Sequence, residues 1–145
     1  MYFVDREKIE ERLVFLENQL SLLVSKEKWS TEIEIAALER VCHTIIESIL
    51  DVGNAMIDGF IMRDPGSYDD IIDILDDEKV ITKEMGEGLK TIVRYRKKLV
   101  QEYTEINHAD LLGMFLHQVQ ILKDFAPRVR KYLTDELGPV SAFKN

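Results

Sequence analysis

The sequence predicts an all-α protein, an antiparallel up-and-down bundle of four or five helices. Three observations carry this expectation. Apolar residues return at intervals of three and four along most of the chain, the spacing that lines one side of a 3.6-residue helix. Glycine and proline are scarce, seven and three in 145 residues, so the elements should be few and long. Helix-start signals then cut the chain into segments joined by short connections, as antiparallel bundles require.

The first helix is placed at about 5–26. Ile9, Leu13, Leu16, Leu20 and Leu23 form its apolar stripe, Glu10, Glu11, Arg12 and Glu17 fall on other faces, and Asp5 is suited to the N-cap. Lys28-Trp29-Ser30 is a joint. Thr31 with Glu34 is a capping box that opens a second helix running to about Ile61. Its stripe of Leu38, Val41, Ile45, Ile49, Val52 and Met56 is widened by Ile35, Cys42 and Ile46, which predicts a central helix packed on several sides.

Pro65-Gly66 ends that helix, and Ser67 with Asp70 starts a short third one through Ile71, Ile72, Ile74 and Leu75. Its polar side, Asp69, Asp70, Asp73, Asp76, Asp77 and Glu78, reads as a solvated face. No loop of alternating oxygen ligands closed by a glutamate is present, so no metal site is expected. A fourth helix runs from near Thr82 to about Tyr103 through Leu89, Ile92, Val93, Leu99 and Val100. Asn107 with Asp110 opens a fifth, with Leu111, Leu112, Phe115, Val119, Leu122 and Phe125 inward. Pro127 is expected to kink or break it, Val129, Tyr132 and Leu133 continue its stripe, and Gly138-Pro139 ends it before a frayed tail over 138–145.

Composition sets the outer bounds. A chain that is 46% hydrophobic and 32% charged is globular rather than disordered. At 145 residues it is expected to form a single domain over 1–145, with its core at about 5–135. The lone Cys42 has no internal disulfide partner and reads as a buried, reduced thiol. No apolar run is long enough to span a membrane, and Met1-Tyr2-Phe3-Val4-Asp5-Arg6 lacks the pattern of a secretory leader, so a cytoplasmic protein is expected. A net charge of −8 argues against binding nucleic acid over the whole surface, though not against a local basic patch.

Such a patch exists. Residues 94, 96, 97 and 98 of the segment Arg94-Tyr95-Arg96-Lys97-Lys98-Leu99-Val100-Gln101-Glu102-Tyr103 are basic. On a continuous helix Arg96 and Tyr103, seven residues apart, return to nearly the same face. A guanidinium there can hold a phosphate through two hydrogen bonds, and a tyrosine can stack on a base. Taken alone, a basic helix end is more often dipole compensation and solvated charge.

This segment resembles the Arg-x4-His-x-Tyr signature of the HepT-like proteins of the HEPN superfamily, matching at Arg96 and Tyr103. The flanks are similar as well. Ala37 to Val52 resembles the family's second helix, Ser67-Tyr68-Asp69-Asp70 with Ile72 to Leu75 its short middle helix, and Leu89 to Ile106 its fourth, in the right order over about 5–135. The resemblance implies a helical bundle that forms a homodimer with two motifs facing each other. It implies a toxin of a toxin–antitoxin pair, a ribonuclease that cleaves RNA in that composite cleft with neither metal nor cofactor. A base takes the 2′-hydroxyl proton, the oxygen attacks phosphorus, and an arginine stabilises the gathering charge.

Carried onto this chain, Arg96 is the phosphate-binding arginine and Arg94, Lys97 and Lys98 are RNA contacts. Tyr103 is the tyrosine that a partner nucleotidyltransferase antitoxin, of the MntA type, modifies with AMP. Asp51 matches an acidic position on the second helix suited to orienting Arg96, its alternative being an ordinary surface salt bridge. One position departs from the signature: Gln101 stands where the motif has histidine. An amide hydrogen-bonds but does not exchange a proton near neutral pH, and general acid–base help is worth roughly 10²–10⁴ in rate. His43, on the second helix, is a substitute if that helix lines the cleft, and otherwise a packed or capping residue. His108 and His117 read as surface residues. Two further readings stand beside the ribonuclease: a catalytically silent HEPN dimer that binds RNA, nucleotide or its nucleotidyltransferase partner, and a helical assembly protein without a ligand.

Overall fold

A computed structural model of the protein describes residues 2–139. Every regular element among them is helical: α1 (Arg6–Val24), α2 (Glu32–Gly59), α3 (Tyr68–Asp77), α4 (Lys83–Val93), α5 (Tyr95–Gln101), α6 (His108–His117) and α7 (Val119–Leu137). The predicted starts hold. Asp5 accepts from the Lys8 amide, Ser67 from Asp70, Thr82 from Met85 and Asn107 from Asp110. Thr31 and Glu34 cap each other reciprocally.

Helix α2 is the central rod, packed against α1, α3, α5 and α6, while α7 lies along α1 and α4. Its wide apolar arc is buried from Leu38 to Ile57 and joins one core that extends from Ile9 of α1 to Leu133 of α7. Gly53 sets the approach of α3, since a Cβ there would lie 2.5 Å from Ile71 Cγ2. The α2–α3 crossing therefore needs a residue without a side chain.

Two of the predicted helices are interrupted. The fourth is divided at Arg94, which keeps helical dihedrals (φ −62°, ψ −24°), and α5 ends at Gln101, two residues short of Tyr103. The fifth breaks at Gln118 (φ −100°, ψ 13°), not at Pro127. Helix α7 passes through Pro127 because that turn faces solvent. Pro127 and Lys123 are both exposed, so the carbonyl left without an amide partner lies on the solvent side of the helix. At the far end Gly138 adopts φ 83°, a left-handed conformation that favours glycine, and its amide returns to Thr134 O. The Gly138 carbonyl accepts from Arg6, tying the end of α7 to the start of α1. Of the tail expected to fray, 140–145 lie outside the described residues.

The acids of α3 are not simply solvated, as the sequence suggests. Asp69 pairs with Arg94 (2.9 Å), Asp73 with Lys90 (2.8 Å), and Asp70 with Arg63 through two 2.8 Å hydrogen bonds. The Arg63 fork and then the Gly66 amide pull the Asp70 carboxyl down to about 2. The hydrogen bond that Lys90 donates to Asp73 raises its ammonium above its ordinary range. These pairs lock α3 against α4 and against the turn that follows α2.

Candidate functional site: an arginine held between two helices

Glu39, His43 and Glu47 recur every fourth residue along one side of α2, so they form a polar stripe beside the core. Helix α5 packs against α2 and brings Arg96 to it. The Arg96 Nε donates to Glu47 Oε1 at 2.6 Å, and both side chains are about three-quarters to two-thirds shielded (26% and 34% exposed). The guanidinium carbon lies 4.6 Å from the ring centroid of Tyr68, the first residue of α3. Arg96 is thus positioned by a carboxylate on one element and an aromatic face on another. Among the described residues its two terminal NH2 groups make no hydrogen bond, so the prong that suits a phosphate is open.

The same Glu47 oxygen lies 3.4 Å from His43 Nε2. One carboxylate therefore stands between an imidazole and a guanidinium. One turn earlier, Glu39 Oε2 lies 2.7 Å from Nε2 of His108, the first residue of α6. His108 is half-buried in this contact and so is not the free surface residue expected of it. His117 is exposed at the end of α6. Cys42, adjacent on α2, is fully buried, and burial and then the Glu39 charge push its thiol up to about 12.

Asp51 does not orient Arg96. Its Oδ2 accepts from Arg12 Nε of α1 at 3.4 Å, and Arg12 also pairs with Glu11. The reason is position along the axis: Asp51 is one turn beyond Glu47, within reach of Arg12 of α1. A shallow cavity of about 250 Å³ opens there, lined by Arg12, Phe15, Glu47 and Asp51. The carboxylate on Arg96 is Glu47, a residue the sequence alone did not single out. The only hint was its place four residues after His43. Tyr68 was visible as part of the middle-helix resemblance, but nothing in the sequence placed its ring against Arg96.

The remaining basic residues divide. Arg94 donates twice to Asp69, through Nε at 3.1 Å and a terminal nitrogen at 2.9 Å, so it is committed to α3. Lys97 and Lys98 are exposed, Lys97 only 4.0 Å from Glu102 and Lys98 5.7 Å from the Tyr95 ring. Gln101 is the last, exposed residue of α5. Tyr103 lies beyond the helix and is 65% exposed, so the seven-residue helical relation between Arg96 and Tyr103 does not apply. Among the described residues no group of three or more His, Cys, Asp or Glu side chains is placed to hold a metal ion.

A family model described as "Ribonuclease HepT-like" matches residues 9–129. The chain belongs to the HepT-like family. Among its relatives, a protein of Bacillus subtilis (strain 168) named "Putative RNase YutE" is 56% identical over 144 residues, spanning 99% of this HepT-like chain and 100% of that one. The solved structure of Bacillus subtilis YutE, described as a cytosolic protein of unknown function, is similar with a TM-score of 0.95 over 99% of this chain and 100% of that one. More distant likenesses, both at 16% identity, show the same fold. One is a tri-AMPylated Shewanella oneidensis HEPN toxin in complex with an MNT antitoxin (TM-score 0.75, 86% of this chain and 97% of that one). The other is a toxin–antitoxin structure with AMP-PNP (TM-score 0.74, 84% and 97%). The all-α HEPN-like bundle and the family resemblance read from the sequence are both borne out. No helix among the described residues is long and apolar enough to cross a membrane.

Proposed function

We propose that this HepT-like protein is a cytoplasmic ribonuclease toxin that cleaves RNA at Arg96 and is silenced by AMP transfer to Tyr103. One observation carries the reading: the Arg96 guanidinium is fixed by Glu47 and Tyr68 while its terminal nitrogens make no hydrogen bond among the described residues. A pre-oriented cation suits the negative charge that gathers on phosphorus during 2′-hydroxyl attack. Exposed Lys97 and Lys98 supply local attraction for the RNA backbone on an otherwise acidic surface. The family's composite cleft calls for a homodimer. The exposed Val100 and Tyr103, which flank Gln101, are available to such an interface. Tyr103 is open enough for a nucleotidyltransferase antitoxin to reach its hydroxyl.

A labelled single-stranded RNA incubated with pure protein in chelator tests this reading. Wild type should cleave, Arg96→Ala should lose at least roughly a hundredfold, the effect expected for one transition-state donor, and light scattering should find about twice the 16.9 kDa chain mass. With the cognate nucleotidyltransferase and ATP, AMP should appear on the protein and not on Tyr103→Phe. Gln101 favours one second reading, a catalytically silent HEPN dimer. It is the outcome if wild type binds RNA through Arg96 and leaves it uncut.

A further inference from the structure

Gln101 leaves the proposed reaction without a proton acceptor at the motif position, and resting on that reading we infer that His43 of α2 is the catalytic base. The geometry that points to it is the shared carboxylate. Glu47 Oε1 receives Arg96 Nε at 2.6 Å and lies 3.4 Å from His43 Nε2, so imidazole and guanidinium converge on one atom from two helices. A phosphate on the free prong of Arg96 then lies within a residue's reach of the imidazole. The ring is 29% exposed, shielded enough to be held and open enough to meet a ribose.

The other histidines lack this placement. His108 is engaged by Glu39 at 2.7 Å, and His117, exposed at the end of α6, lines a cavity with Thr82, Gln118 and Arg128 that Arg96 does not enter. The charged and titratable groups around His43 are Glu39 and Glu47 on its own helix, Arg96 from α5 and His108 from α6, with Tyr68 of α3 behind Arg96 and Arg12 of α1 beyond, at Asp51.

The step balances without metal or cofactor. A ring nitrogen of His43 takes the proton of the ribose 2′-hydroxyl. The 2′-oxygen forms a bond to phosphorus, and the bond from phosphorus to the 5′-oxygen breaks. That leaving oxygen takes a proton from water, and the hydroxide so formed takes the proton back from the imidazolium. The products are a 2′,3′-cyclic phosphate and a 5′-hydroxyl end. Glu47 orients the imidazole and steadies the imidazolium, and the terminal nitrogens of Arg96 hold the phosphate oxygens.

The test uses the full chain and a labelled RNA oligonucleotide in chelator, with cleavage followed from pH 5 to 8 and RNA binding followed separately. His43→Gln, which keeps a hydrogen-bonding side chain but cannot exchange a proton, should slow cleavage by roughly a hundredfold or more. It should also change the shape of the pH profile, because an amide cannot take up or release a proton in this range. RNA binding should stay within about threefold of wild type, because Arg96, Lys97 and Lys98, which attract the RNA backbone, are unchanged. Added imidazole should partly restore cleavage to His43→Ala, whose fold is checked by circular dichroism. His43→Gln cleaving at the wild-type rate with the same pH profile overturns the inference and leaves the ribonuclease reading intact. So does a Gln101→His variant that gains tenfold or more independently of His43. If wild type binds RNA through Arg96 but never cleaves it, the ribonuclease reading falls and the role of His43 falls with it.

Discussion

Replacing Glu47 by Gln separates the catalytic from the structural consequences of the ion pair that holds Arg96. The pair is short, 2.6 Å, but its two side chains are 26% and 34% exposed, which makes it a half-screened pair rather than a buried one. Such pairs contribute about 0–1 kcal/mol to stability. At ~2.1 cal/mol/K of unfolding entropy per residue, a chain of this length loses about 3 °C of Tm per kcal/mol. Glu47→Gln should therefore lower Tm by no more than about 3 °C. The effect on turnover should be larger. A charge-assisted hydrogen bond exceeds a neutral one by roughly 1–1.5 kcal/mol, about tenfold in rate if felt fully in the transition state. His43 loses its carboxylate in the same substitution. RNA binding should hold or tighten, because a negative charge has been removed beside the phosphate site. The assay is steady-state cleavage with kcat and KM separated, beside a thermal melt. Asp51→Asn is the comparison. Asp51 pairs with Arg12 at 3.4 Å and not with Arg96, so its turnover should change less than about threefold, as for surface pairs generally. Equal losses in the two variants, or wild-type turnover in Glu47→Gln, would refute the assignment of Glu47 as the residue that positions Arg96.

Two further outcomes concern the scaffold. The Asp70 carboxyl is pulled to about 2 by Arg63, that of Glu34 to about 2 by Lys26, and that of Glu17 downward by Arg130. All are depressed in the folded state, so the unfolded chain binds more protons below its ordinary carboxyl range. Stability should be flat above about pH 5 and fall between about pH 4 and 2, with Asp70→Asn flattening part of that slope in urea melts at stepped pH. Cys42, buried on α2 and pushed up to about 12, should react with a thiol reagent at pH 8 at least a hundredfold more slowly than a free cysteine of pKa ~8.5, and only denaturant should restore the rate. Labelling at the free-thiol rate in native buffer would show that α2 is open at that position.

What the sequence by itself determined was local. Apolar spacing placed the helices, and the caps at Asp5, Thr31, Ser67, Thr82 and Asn107 placed their starts, because a cap satisfies backbone amides within three residues of itself. The signature around Arg96 and Tyr103 identified the family, since a short motif with ordered flanks is a linear property. Helix ends and breaks were less legible. Gln118 interrupts a helix that Pro127 does not, and the decisive quantity, whether a freed carbonyl meets water, depends on which side of the rod is covered. The site's pairing was decided by tertiary structure alone. Glu47 and Asp51 are both acids on one helix a turn apart, and only the packing of α5 and α1 around α2 gives Arg96 to the first and Arg12 to the second. Tyr68 reaches Arg96 for the same reason, because α3 is brought beside α2 where Gly53 leaves room for Ile71. A three- or four-residue period tells which side of a helix a residue is on. Which neighbour occupies that side follows from how the whole core closes.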